Sequence, residues 1–216
     1  AFYEGDTLVV YTTSQSVYHD KHAICNILGL SQVQVRSRYV GGAFGGKEDL
    51  HVQGFAALLC QKTHRPVKIT VTRFESMSFH PKRHPMEITY TLASDEAGNF
   101  LAASAEIYAD TGAYASLGPA VIGRACTHTG GPYRLAHGFA VEGYAVYTNN
   151  PPYGAFRGFG VAQISFANET AIDLLAEELG RDKLELRMQN ALRPGDVMPT
   201  GQLCGSDVGF LETLQA

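Results

Sequence analysis

The chain has 216 residues, of which 45% are hydrophobic and 18% charged, and its formal net charge is −4. This length suits one large domain or two small lobes, and the composition excludes a disordered chain. The sequence has no basic run typical of a nucleic-acid-binding face and no apolar stretch near the ~20 residues that span a bilayer. Its four cysteines are far apart and form no C-x-x-C pair, which favours a reducing cytoplasm over a disulfide framework or a zinc site.

The first part of the chain alternates predicted strands and helices. Strands are predicted where apolar residues alternate with polar ones, and helices where apolar residues recur at helical spacing. A strand at Thr7–Tyr11 is followed by a helix at Val17–Leu28 that ends at Gly29, a strand at Gln32–Arg38, a glycine-rich turn, a helix from about Asp49 to Lys62 and a strand at Val67–Val71.

Strands dominate the middle of the sequence and helices dominate its end. The predicted elements are a hairpin of strands beginning at Met86 and Phe100, a strand at Phe139–Tyr147, and helices at Val161–Leu179, Lys183–Leu192 and Phe210–Ala216. Between the strands, Gly112–Gly131 reads as a long, nearly uncharged loop, which is typical of a functional or buried segment. The order of elements predicts an α+β fold, a mixed sheet with flanking helices, with possible lobes at 1–80 and 81–216.

Two glycine-framed loops are the strongest functional signals. The first, Gly41–Glu48, has two glycine pairs around Ala43 and Phe44, so its backbone N–H groups can approach an anion or a flat ligand. It matches neither phosphate-binding glycine signature, and a tight turn with Phe44 in the core is the alternative reading. The second loop, Ala155–Gly160, places Arg157 between two phenylalanines and two glycines. That arginine can bind an anionic ligand or simply satisfy loop carbonyls.

Taken together, these loops resemble the G-G-x-F-G-G-K-E and A-F-R-G-F-G loops of the xanthine dehydrogenase and aldehyde oxidase family, the molybdenum hydroxylases. The resemblance extends along nearly the whole chain, through the Ser-Gln at Gln15, the Arg83–Pro85 segment and Arg187–Leu192. It implies a partial molybdenum cofactor-binding domain of the xanthine dehydrogenase type, covering residues 1–216. In this family molybdenum is held by the dithiolene sulfurs of molybdopterin, in some members as the cytosine dinucleotide, so no metal ligand from the protein is expected.

The resemblance also assigns roles to individual residues. Gln15 matches a glutamine that hydrogen-bonds an oxygen ligand on molybdenum. The positions matched to cofactor contacts are Gln15, Gly42, Ala43, Phe44, Gly45, Ala155, Phe156 and Arg157, and for Arg157 the contact is made by its backbone. Glu48 and Arg124 match a glutamate and an arginine that orient a purine-type substrate and stabilise its developing charge, so Gln15, Glu48 and Arg124 are the catalytic candidates. Phe159 matches an aromatic residue that packs against the substrate ring.

The implied activity is hydroxylation of a small N-heterocycle, of purine or nicotinate type, with oxygen from water. The family's general base, a glutamate in a G-x-G-E motif, does not occur in these residues, so this chain alone is expected to be inactive. The expected partners are a C-terminal molybdopterin half or subunit, an iron–sulfur subunit and an FAD subunit; nicotinate dehydrogenase is one member divided in this way. Two alternatives stay open: an aldehyde oxidase-type relative, and a non-catalytic scaffold that uses the apolar segment Ala113–Ala125 as an interface. A cytoplasmic location is expected.

Overall fold

The computed structural model describes residues 1–216. The chain divides into two compact units. The first contains residues 1–83 and two later segments, 111–118 and 147–157; the second contains residues 84–110, 119–146 and 158–216. Residues 111–118 and 147–157 therefore return to the first unit after the chain has entered the second.

A three-stranded mixed sheet forms the centre of the first unit. Strand β2 (Thr7–Thr12) lies between β1 (Phe2–Glu4), which is antiparallel to it, and β3 (Gln34–Ser37), which is parallel to it. Parallel neighbours need a crossover connection, and helix α1 (Val17–Leu28) provides it. The helix ends at Gly29, whose φ of 65° is left-handed, as the sequence predicts for a helix stop.

Two helices complete the first unit. Helix α2 (Gln53–Thr63) packs against α1 and β2, and the short helix α3 (Arg73–Phe79) follows. Helix α3 was not predicted from the sequence, although Thr72 and Glu75 form a capping box at its start. The buried core side chains of this unit are Leu8, Val10, Ile24, Val33, Ala57 and Cys60.

The predicted strand at Val67–Val71 is wrong. Its side chains alternate between half-buried and exposed, as the sequence suggests, but the segment is not a strand. The N–H of Val67 donates to the carbonyl of Ala1, and the amino group of Ala1 donates to the carbonyl of Val67, both at 2.8 Å. Alternation sets the direction of the side chains, whereas a strand also requires a continuous ladder of backbone hydrogen bonds.

A second three-stranded sheet, in the order β4-β5-β6, underlies the second unit. Strands β4 (Met86–Ser94) and β5 (Phe100–Gly112) are antiparallel and β6 (Phe139–Tyr147) completes the sheet, so the predicted hairpin and third strand are confirmed. Helix α5 (Val161–Glu178) packs on β4. The α+β architecture with flanking helices is therefore confirmed, with two small sheets instead of one.

The predicted loop at Gly112–Gly131 is wrong over half of its length, because helix α4 (Gly118–Thr127) lies there. Val121, Ile122 and Ala125 of this helix are buried in the second unit. The segment is nearly free of charge because one face of α4 belongs to a core. This burial also weakens the interpretation of Ala113–Ala125 as a surface for a partner chain.

The chain ends in helices α6 (Lys183–Asn190) and α7 (Phe210–Gln215). The carboxylate of Asp182 accepts hydrogen bonds from the N–H groups of Leu184 and Glu185, at 2.8 and 2.9 Å, which satisfies two donors at the start of α6. None of the helices is both long and apolar enough to cross a bilayer.

The Asp182 cap leads to a stability prediction. Asp182→Ala is expected to lower the free energy of unfolding by about 1 kcal/mol, because two N–H groups lose their acceptor. Chemical denaturation measured by circular dichroism checks the value. Glu178→Ala, which removes an exposed carboxylate that caps nothing, serves as the control; equal losses in the two variants would argue against the capping interpretation.

Candidate functional site

The first glycine loop is a strained turn. Within Gly41–Glu48, Gly42, Phe44 and Gly45 have φ values of 150°, 54° and 97°, and Phe44 is 64% exposed. Positive φ is costly for a residue with a side chain, so the conformation of Phe44 must be held by its surroundings. The alternative reading that places Phe44 in the core is therefore wrong: the ring is presented at the surface.

The loop does not open directly into a helix as predicted. Helix α2 begins at Gln53, not near Asp49, and the side-chain oxygen of Gln53 accepts the N–H of His51 at 2.7 Å. The carboxylate of Asp49 instead accepts a hydrogen bond from the hydroxyl of Ser116. The loop therefore does not form the N-terminus of α2, and Glu48 is not a first-turn acid of that helix.

Gln15 is the central hydrogen-bonding residue of the loop. Its side-chain oxygen accepts the N–H of Gly45 at 3.0 Å and of Lys47 at 3.2 Å, and its own backbone N–H donates to the carbonyl of Lys47 at 3.0 Å. These contacts fix the orientation of the side-chain amide, because the oxygen is the only acceptor it carries. The nitrogen of the amide must then point away from the loop backbone.

That nitrogen binds Glu48. The Nε2 of Gln15 donates to Oε1 of Glu48 at 2.9 Å, so two residues that lie 33 positions apart share one hydrogen bond. A primary amide carries two N–H donors and a carboxylate has two oxygens. Each side chain therefore retains capacity for a further hydrogen bond while it holds the other in place.

The second loop lies against the first. The N–H of Arg157 donates to the carbonyl of Phe44 at 2.9 Å, and the guanidinium carbon of Arg157 lies 5.9 Å from the centre of the Phe44 ring. A Cβ at Gly45 would lie 2.6 Å from the carbonyl oxygen of Ala155, a residue that is itself buried. The two loops are therefore in contact, and this contact requires glycine at position 45.

The backbone of Arg157 is already engaged within the chain. Its N–H binds Phe44, and its carbonyl accepts a hydrogen bond from Nη2 of Arg83 at 2.7 Å. The resemblance implied that this backbone contacts the cofactor directly. The N–H of Arg157 is thus donated within the chain, while its carbonyl oxygen can accept one further hydrogen bond.

Arg124 and Phe159 belong to the second unit. Arg124 is exposed near the end of α4, and Phe159 has a φ of 50° just before α5. Glycine at position 160 allows the start of α5 to approach α4 closely, because a Cβ there would lie 2.3 Å from the carbonyl oxygen of Val121. Within the second unit the structure therefore brings the segment that carries Phe159 onto the helix that carries Arg124.

Asp20 and His51 of the first unit have shifted pKa values. Burial raises the pKa of Asp20, against the opposing effect of the Ser14 side chain next to Gln15. Burial lowers the pKa of His51, and His80 and Lys82 lower it further, whereas Asp49 opposes them. In both cases the burial of the side chain favours its neutral form.

The site offers hydrogen-bonding groups and aromatic rings, and it is not a metal-ligand cluster. The chain has no group of three or more His, Cys, Asp or Glu side chains placed to hold a metal ion. What it offers in the first unit is a fixed amide, a paired carboxylate, a strained backbone turn and two exposed aromatic rings, at Phe44 and Phe156. Such a surface suits a ligand with anionic oxygen or sulfur atoms and a flat ring system.

Comparisons with known proteins agree with this picture. Residues 1–191 match the family of molybdopterin cofactor-binding domains. The chain is 44% identical to a probable xanthine dehydrogenase subunit of Bacillus subtilis, over 96% of this chain and 28% of that protein. It is 41% identical to the nicotinate dehydrogenase large molybdopterin subunit of Eubacterium barkeri, over 100% of this chain and 51% of that protein.

A solved structure gives the same result at the level of the fold. The aldehyde oxidoreductase from Desulfovibrio gigas matches with a TM-score of 0.93 and 31% identity, over 99% of this chain and 24% of that one. The chain thus spans about half or less of the length of each of these relatives.

Proposed function

Because this chain belongs to the family of molybdopterin cofactor-binding domains, of the xanthine dehydrogenase and aldehyde oxidase type, we propose that it forms part of the active site of a molybdenum hydroxylase. The substrate we propose is a small N-heterocycle of purine or nicotinate type. The observation that carries the proposal is the hydrogen bond between Gln15 and Glu48, made while Gln15 is also fixed to the first glycine loop.

The residues of the first unit fit molybdopterin. The bound cofactor would supply oxidation of a substrate carbon with oxygen from water. The second N–H of the Gln15 amide is left to donate to an oxygen ligand on the metal. The turn of Gly42, Ala43, Phe44 and Gly45 and the loop of Ala155, Phe156 and Arg157 would form the wall on which the cofactor rests.

We propose that Glu48 orients the substrate. Glu48 keeps one carboxylate oxygen to accept an N–H from the heterocycle, and Gln15 prevents the carboxylate from rotating away. We further propose that Arg124 stabilises negative charge that develops on the substrate and that Phe159 packs against its ring. The proton-accepting base is proposed to come from a part of the protein outside these residues.

The proposal includes partners and a location. Iron–sulfur and FAD groups would be carried by other domains or subunits, together with the remaining contacts to the pterin, which we propose to be the cytosine dinucleotide form. The subunit names of two relatives support a divided enzyme. A cytoplasmic location is proposed because all four cysteines are unpaired thiols.

The direct test uses the full-length protein purified with the chains that accompany it. We expect molybdenum in near-stoichiometric amount by elemental analysis, a cytosine dinucleotide released by acid, and ¹⁸O from labelled water in the hydroxylated heterocycle. Molybdenum with turnover of aldehydes alone would support an aldehyde oxidase-type enzyme. A protein without molybdenum would overturn the proposal and favour a scaffold role.

Glu48→Gln provides a prediction about the substrate. We expect KM for the heterocycle to rise by about tenfold or more, because a charge-assisted hydrogen bond becomes a neutral one. Molybdenum content should stay unchanged, since the replacement alters no loop hydrogen bond to Gly45 or Lys47. Steady-state kinetics check the expectation, with Glu96→Gln, an exposed acid in a hairpin turn, as the control. An unchanged KM would remove Glu48 from the substrate site.

A further inference from the structure

Arg83 makes contact with the second glycine loop at two successive residues. Its Nη2 donates to the carbonyl of Arg157 at 2.7 Å, and its guanidinium carbon lies 4.5 Å from the centre of the Phe156 ring. Arg83 is distant from both loops in the sequence, 74 positions before Arg157. A planar guanidinium can stack on a ring and donate in its own plane at the same time, so both contacts are made by one rigid group.

These contacts complete the fixation of the loop. Arg157 donates its N–H to Phe44, and the carbonyl of the same residue accepts from Arg83. Because each peptide group is planar, a hydrogen bond to one of its atoms restrains the orientation of the whole group. The two peptide groups that flank the Cα of Arg157 are therefore each restrained by one hydrogen bond.

The segment that carries Arg83 also touches the first loop. A Cβ at Gly46 would lie 3.2 Å from Cε1 of His80, and the N–H of Gly154 donates to the carbonyl of Lys82 at 3.0 Å. The side chain of His80 packs edge to face with His51, with ring centres 4.8 Å apart. Residues 80–83 thus lie against both glycine loops of the first unit.

We propose that Arg83 is a positioning residue, which holds the Phe156–Arg157 part of the second loop at a fixed distance from Phe44. The loop held in this way would determine the position of the molybdenum centre. This inference rests on the proposed function. Arg83 contacts the loop and is not assigned to the substrate or the metal. Its loss should therefore change the rate of the chemical step more than the binding of substrate.

The test compares Arg83→Lys and Arg83→Met in the complete holoenzyme, with Arg65→Met, at an exposed arginine outside both loops, as the matched control. Lysine keeps a donor for Arg157 but cannot stack on Phe156 as a plane, whereas methionine keeps only packing. We expect kcat per molybdenum to fall by about tenfold in the lysine variant and about a hundredfold in the methionine variant, with KM nearly unchanged, because a displacement of ~1 Å costs about that much.

A second readout does not depend on turnover. Hydrogen–deuterium exchange should be faster at the N–H of Arg157 in both variants, because Arg157 is no longer held in register with its acceptor, the carbonyl of Phe44. The Mo(V) electron paramagnetic resonance spectrum should also change. Unchanged kcat per molybdenum together with unchanged exchange would overturn the inference, as would an equal effect of Arg65→Met. Wild-type protein without molybdenum would instead refute the proposed function.

Phe156→Leu provides a second test of the proposal if the Arg83 variants fail to fold. It removes the stacking partner while leaving Arg83 and its hydrogen bond to Arg157 in place. A few-fold fall in kcat per molybdenum together with faster exchange at the N–H of Arg157 supports the positioning role, and wild-type kinetics in this variant, with wild-type exchange at Arg157, would contradict it.

Discussion

Replacing Gly45 with alanine is expected to lower kcat of the purified enzyme by a hundredfold or more and to reduce its molybdenum content. The added Cβ would lie 2.6 Å from the carbonyl oxygen of Ala155 and 2.9 Å from the nitrogen of Phe156, and φ at this position is 97°. Both obstacles are backbone atoms, so no side-chain rotation relieves them. The two loops must separate, and a shift of ~1 Å at a catalytic centre costs about a hundredfold in rate.

Gly195→Ala is the matched control for this substitution. Gly195 has a similar φ of 91°, but nothing lies within 4 Å of a Cβ placed there. It therefore measures the backbone strain alone, about 1–2 kcal/mol, without a steric clash. Elemental analysis and steady-state kinetics on both variants separate the effects. If Gly45→Ala and Gly195→Ala lose activity equally, contact between the loops is not the cause.

Gln15→Glu is expected to lower activity at neutral pH by about a hundredfold. The replacement has nearly the same shape and still offers an oxygen to the N–H groups of Gly45 and Lys47. However, the atom that donates to Glu48 at 2.9 Å becomes a carboxylate oxygen, so two negative charges face each other. The carboxylate of Glu48 is then driven out of position, and the N–H that we propose to face the metal centre is lost.

The pH dependence of this variant provides its internal check. Two carboxylates at this distance share a proton, and the pKa of the pair is raised above the ordinary value for glutamate. As the pH falls through that raised pKa, one carboxyl becomes protonated and can again donate to the other. Part of the lost activity should therefore return at acidic pH, relative to wild type. Gln32→Glu, at an exposed residue outside both loops, should leave the pH profile unchanged, and a flat loss at every pH in Gln15→Glu would contradict the charge explanation.

Gly45→Ala and Gln15→Glu both test the arrangement of the first glycine loop, but they change different properties of it. Gly45→Ala changes the distance between the loops, whereas Gln15→Glu leaves the backbone contacts and changes the charge beside Glu48. If Gly45→Ala loses molybdenum and Gln15→Glu retains it, contact between the loops is needed to retain the cofactor, whereas the hydrogen bonding of Gln15 is needed for the reaction. Loss of molybdenum in both would instead indicate that Gln15 is needed to retain the cofactor.

The amino-acid sequence alone determined most of the local structure. The bounds of α1 and its stop at Gly29 were predicted correctly because helical spacing and a left-handed glycine are local signals. The same holds for the hairpin that begins at Met86. The resemblance of the two glycine loops to a known family also lay in the order of residues, and the family match to residues 1–191 confirms it.

Only the tertiary structure determined which of these segments form regular elements and which residues come into contact. Val67–Val71 alternates like a strand, yet it lacks the ladder that makes one, and Gly118–Thr127 forms a helix because its apolar face meets a core. Contacts between residues far apart in the chain, such as that of Gln15 with Glu48, leave no periodic trace in the sequence. Arg83 is the sharpest case: its acceptor on Arg157 is a backbone carbonyl, which every residue carries, so only the folded chain could reveal the pair.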